Sequence, residues 1–136
     1  MTPFRSFLAA ISLAVLATPI SAQTPMSASE FEAYVTGRTL TFGFEGRAYG
    51  IEEFRPGRRT TWAFMDEECR EGRWFDREEQ ICFVYDDAPD IEHCWVFWRG
   101  ERGLSARFVG DGNGTELYEV QRSTRPLLCP GPEVGV

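Results

Sequence analysis

Between residues 38 and 120 the chain repeats one pattern, apolar side chains at every second position in short runs, each run ended by glycine, proline or a cluster of charges. A period of two marks a strand with one buried face. Gaps this short allow only antiparallel neighbours, because a parallel return needs a crossover of about a dozen residues or more. Leu40, Phe42 and Phe44 open the series, Tyr49 and Ile51 follow a Glu45-Gly46 turn, and Phe54 ends that run. Pro56-Gly57 marks the next turn, after which Thr60, Trp62 and Phe64 alternate. Trp74 and Phe75 begin a strand with residues 76–80 as its turn, and residues 81–85, 93–98, 104–109 and 116–120 supply four more. Eight strands in hairpin-length steps predict a mainly β domain, an antiparallel meander that is barrel-like or strongly curved. The segments ICFVY and CWVFW are apolar on both alternate faces. A two-layer sandwich and an open α+β sheet are therefore the other arrangements to weigh.

One short helix precedes the strands. Ser29 and Glu32 have the spacing of a capping box, Phe31, Tyr34 and Val35 form one apolar face, and Gly37 suits the left-handed position past the helix end. So short a helix is unstable alone, and its face must lie against the body of the domain.

The first 22 residues have the layout of an export leader: Arg5, an apolar stretch over residues 7–16, Pro19 and a small-residue end at Ala22. Cleavage there leaves residues 23–136 as a single disulfide-stapled β domain, too small for a two-domain enzyme or a (β/α)8 barrel. The apolar stretch is shorter than the roughly 20 residues that span a bilayer. All 14 basic residues are arginine, against 21 acids, and the formal net charge of −7 becomes more negative when Arg5 leaves. That balance argues against nucleic-acid or anionic-membrane partners. The expected location is the periplasm or the exterior, where Cys69, Cys82, Cys94 and Cys129 would pair. If Tyr85 and Ile91 flank the loop between the two apolar strands, Cys82 faces Cys94. With Trp74 opposite Cys82 in the preceding hairpin, Cys69 falls outside the ladder and is left for Cys129, which would clamp the proline-rich tail. A slip of one residue would turn these side chains over.

Chemical motifs are few. His93 is the single histidine, with no serine elbow or second imidazole to make a triad or a metal centre, and it reads as a packed or strand-edge residue. The acid pairs Glu52-Glu53, Glu67-Glu68, Glu78-Glu79 and Asp86-Asp87 read as solvated turn charge rather than as two carboxyls converging on a substrate. A calcium loop starting at Asp111 would need glycine where Glu116 stands and glutamate where Arg122 stands, so residues 111–116 read as an Asn-Gly hairpin turn. No motif calls for a cofactor or a catalytic residue. Aromatic residues are the positive feature: Trp62, Trp74, Trp95 and Trp98, with Tyr49, Tyr85 and Tyr118. Trp62 and Trp74, with Arg58, Arg59 and Arg73 to meet an anion, are the candidate ligand or partner surface. The number of large side chains nevertheless predicts a filled interior.

The blocks FEAYVTGRTLTF, YGIEEFRPGRRTTWAF, GRWF, ICFVY and HCW, with the ending CPGPEVGV, resemble a group of small secreted or periplasmic proteins of alphaproteobacteria. The resemblance covers the whole mature chain and implies a recurring secreted domain with shared cysteines and aromatics. It brings no established activity with it. The leading expectation is a non-enzymatic periplasmic domain that binds a protein or cell-envelope component. A calycin-like small-molecule carrier, an inhibitor of an extracytoplasmic hydrolase and a small hydrolase are the alternatives.

Overall fold

The computed structural model describes residues 23–110 and 112–129. The expected leader at residues 1–22, Asp111 and the end of the tail from Pro130 onward lie outside the described residues. A helix, α1 (Ala28–Val35), leads into eight strands: β1 (Arg38–Phe44), β2 (Arg47–Arg55), β3 (Arg59–Phe64), β4 (Arg70–Arg77), β5 (Gln80–Tyr85), β6 (His93–Gly100), β7 (Gly103–Phe108) and β8 (Glu116–Ser123). Each strand pairs with the next, and β8 pairs back with β1, so the meander closes into an antiparallel barrel without free edges. Of the arrangements compatible with the sequence, closure is the one adopted. Among the described residues no helix is long and apolar enough to cross a membrane.

Closure gives the barrel two ends. The β2–β3, β4–β5 and β6–β7 connections lie at one, with α1, and the β1–β2, β3–β4, β5–β6 and β7–β8 connections ring the other. Helix α1 plugs its end. Phe31 is fully buried, its ring 4.5 Å from Phe97, 5.1 Å from Trp74 and 5.6 Å from Phe54, centroid to centroid. Such tilted and edge-on ring pairs add to the gain from area burial.

The helix start differs from the sequence reading. Ser27, not Ser29, is the cap: its hydroxyl accepts from Glu30 N–H at 3.3 Å, and Glu30 reaches back to Ser27 N–H at 2.8 Å. Two overlapping Ser-x-x-Glu boxes compete here, and packing decides. With the cap at Ser27, Met26 and Phe31 occupy the two staple positions, and both are core residues. Glu32 is thereby free to pair with Arg58. Gly37 takes the left-handed conformation, φ 78°, as expected.

Both expected disulfides are present, Cys82–Cys94 and Cys69–Cys129. Cys82 faces Cys94 in the β5–β6 register. The β4–β5 hairpin is one residue out of the expected register, with Phe75 opposite Cys82. Its turn is only Glu78-Glu79, with Glu78 at φ 57°, and β4 starts at Arg70 rather than Trp74. Cys69 still falls just before β4, outside the ladder, so its pairing survives the slip. The tail from Ser123 runs back over the outer wall. Thr39 Oγ1 donates to the Arg125 carbonyl at 2.6 Å, Leu127 N–H donates to Glu53 Oε2 at 3.0 Å, and Cys129 closes the strap on Cys69. Leu128 covers nothing, being 90% exposed.

Candidate functional site

The interior is filled at the plugged end only. Toward the open end lies a cavity of about 400 Å³, open to solvent. Phe54, Phe83 and Phe97, which touch Phe31, contribute to its lining near the plug, and Phe42, Trp62, Phe64, Trp95 and Phe108 are among the other rings that line it. The expectation of a filled interior is therefore corrected.

Two features make the room. Inward positions at Ala106, Thr115 and Leu117 are small or slender. Inward glycines also let rings lie flat along the wall. A Cβ on Gly50 would collide with the far edge of the Trp62 indole, and one on Gly72 would stand 2.8 Å from Tyr85 Cδ1. Rings laid over inward glycines add apolar surface without crossing the lumen. A bulge adjusts the rim as well. The β1–β2 register shifts between Phe42 and Gly43, leaving Tyr49 as the extra residue, and both Tyr49 and its neighbour Trp62 line the cavity.

One carboxyl enters this apolar wall. Glu52, between Gly50 and Phe54 on β2, is buried and lines the cavity. Thr60 Oγ1 lies in hydrogen-bond contact with Glu52 Oε1 and donates to the Glu53 carbonyl at 2.9 Å. The Tyr85 hydroxyl donates weakly to both Glu52 oxygens, at 3.4 and 3.3 Å. Burial pushes the Glu52 carboxyl up to about 8, against the pull of the Thr60 and Tyr85 hydroxyls and of the Arg70 charge, and so favours the protonated form at pH 7. A protonated Oε1 can donate to Thr60, whose own proton goes to the Glu53 carbonyl, so the neutral state satisfies every hydroxyl. Burial likewise raises the Tyr85 hydroxyl well above its usual value.

Arg70 and His93 stand nearer the mouth. The Arg70 guanidinium lies 4.6 Å from the Tyr85 ring centroid and grips Asp87 with two bonds, 2.7 and 2.8 Å. The half-buried His93 ring stands 5.9 Å from Tyr85, and burial, helped by Arg70, lowers its pKa. Met65, Ile91 and Val109, from three of the four mouth connections, are exposed apolar side chains around the entrance.

Of the five residues singled out in the sequence, only Trp62 reaches the cavity. Trp74 is buried at the plugged end, where Arg58 stacks on it at 4.5 Å and pairs with Asp76 at 2.8 Å and Glu32 at 3.2 Å. Arg58 thus ties the helix to β4. Arg59 pairs with Asp86 at 3.4 Å, and Arg73, opposite Arg59 in the ladder, lies over Phe75. The structure does not bring the five together. Glu52 escaped the sequence reading, which placed it in turn charge. Its two-residue spacing from Phe54 was the available signal. Comparison with protein-family models, curated proteins and solved structures finds no match to this chain.

Proposed function

We propose that this protein is a small-molecule carrier of the calycin-like kind, holding a largely apolar, ring-bearing molecule in the open half of the barrel. The observation that carries the proposal is the aromatic-walled cavity, closed by α1 and open at the other end, with a few polar groups, the buried Glu52 and Tyr85 among them, set in its wall. Ligand pockets have this composition, mostly apolar with a few polar groups that fix orientation. A residue whose ionisation is strongly perturbed in a concave site supports the same view. Exported action outside the cytoplasm accords with the leader and the two disulfides.

Binding of a protein or cell-envelope component remains a second proposal, favoured by the exposed Met65, Ile91 and Val109 around the mouth, which would let the barrel dock while its ligand passes. A hydrolase of the paired-carboxyl type draws no support, since among the described residues Glu52 is the one acid lining the cavity.

The test is a fluorescence titration with a neutral apolar probe, naphthylmethanol, using Trp62 and Trp95 as reporters. Wild type should bind one equivalent saturably. Ala106→Phe, which fills the lumen, should abolish binding while unfolding stays cooperative. Binding unaffected by Ala106→Phe would place the probe elsewhere and contradict the carrier proposal.

A further inference from the structure

We propose that the molecule carried is an organic cation, a protonated amine on an aromatic or apolar skeleton, whose ammonium group is received by Glu52. The proposal rests on the cavity being the binding site and adds the chemistry of the head group.

Three observations carry it. First, Glu52 is a buried carboxyl facing a cavity, and its hydrogen bonds are to the hydroxyls of Thr60 and Tyr85. A carboxyl has about four acceptor sites. Second, the cation nearest to hand is already committed, since Arg70 is held by both Asp87 oxygens. Among the described residues Glu52 has no ion pair; Arg70 acts on it only through space, and an ammonium in the cavity would be its first direct cationic partner. Third, the surrounding surface suits a cation. Trp62, the cross-strand neighbour of Glu52, offers a ring face that attracts positive charge, as the Tyr85 ring beside it does for Arg70. A ligand needing only a neutral hydrogen-bond donor could be served by a serine or threonine, without the cost of burying an ionisable group.

The proton balance is simple. In the empty barrel Glu52 holds its proton. When the ammonium enters, its N–H donates to a Glu52 oxygen, the carboxyl O–H breaks, and that proton leaves to solvent. The other titratable groups facing this region are Tyr85 on β5, Arg70 on β4 with Asp87 beyond it, His93 on β6 and Tyr49 on β2. None of them needs to change charge.

The experiment is calorimetric titration of the full-length mature protein at pH 7 with naphthylmethylamine and its neutral isostere naphthylmethanol, in buffers of differing ionisation enthalpy. The amine should bind about ten-fold more tightly than the alcohol, because a charge-assisted bond replaces a neutral one. It should release about one proton per molecule bound, and the alcohol none. Glu52→Gln, its folding checked by cooperative urea unfolding, should bind the amine no more tightly than the alcohol and release no proton. If the alcohol binds as tightly as the amine and no proton is released, the cation proposal is overturned while the carrier proposal stands. If neither binds, both fall. Should Glu52→Gln fail to fold, proton release by wild type across the buffers still decides the matter.

Discussion

The indole of Trp62 lies against Gly50, at a distance that leaves no room for a Cβ. That contact keeps this indole on the wall instead of across the lumen. Gly50→Ala should therefore push Trp62 into the cavity. Overpacking of this kind costs about 1–3 kcal/mol, and probe affinity should fall together with stability. Urea unfolding and fluorescence titration of the same variant check both. Unchanged affinity in a destabilised variant would mean that the ring moves outward instead.

Burial of Glu52 makes stability depend on pH in an uncommon direction. Its folded pKa, about 8, lies above the unfolded value of 4.5. The stability linked to its protonation is fully present below pH 4.5 and is lost as pH rises through 8. At about 1.4 kcal/mol per pH unit, wild type should lose about 3 kcal/mol between pH 5 and 8. Glu52→Gln should remove that slope. Asp76, Asp87 and Glu92 work oppositely. Hydrogen bonds from Arg58, Arg70 and Arg77 hold them below their ordinary range, so their contribution is present at neutral pH and lost on acidification below it. Urea unfolding across pH 3 to 9 separates the two limbs.

The two disulfides should differ in weight. Cys69–Cys129 spans 60 residues and Cys82–Cys94 spans 12. The loop-entropy relation gives about 4 kcal/mol for the first and about 3 kcal/mol for the second. Cys129→Ser should release the strap over β1 and β2, and Cys69→Ser with Cys129→Ser should match either single change in stability. An unfolding midpoint for Cys129→Ser equal to that of wild type would make the tail a passive extension.

Phe31 is the side chain on which the plug depends. Its truncation to alanine removes a fully buried ring that touches Phe54, Trp74 and Phe97, and such a change costs about 3–5 kcal/mol. Arg58→Ala should cost far less, because its ion pairs with Glu32 and Asp76 are partly exposed. Thermal unfolding of the two variants under the same conditions compares them.

Where local chemistry alone sets the geometry, the sequence was readable. Alternation on β1 and β3 put Leu40, Phe42, Thr60 and Trp62 inside, and the β5–β6 loop fixed Cys82 opposite Cys94. Errors arose where an unmarked residue sets the geometry. Glu78 takes a left-handed turn conformation that carries no glycine or asparagine signal, and the β4–β5 register slipped by one in consequence. The bulge at Tyr49 reverses the face that a strict alternation from Tyr49 and Ile51 assigns, so Glu52 was read as solvent charge when it faces inward with Gly50 and Phe54. The cavity was hidden for a related reason. Counting large rings predicts filling, but ring volume fills a lumen only if the rings point across it, and Gly50 and Gly72 let Trp62 and Tyr85 lie along the wall.

The central claim is that the open half of the barrel is a binding chamber, and a crystal structure of residues 23–136 soaked with naphthylmethanol tests it most directly. The account predicts one molecule inside, its rings between Trp62 and Phe83 and its hydroxyl within hydrogen-bond distance of Glu52 or Tyr85. A chamber holding only water, with the probe on the outer wall or nowhere, would contradict it.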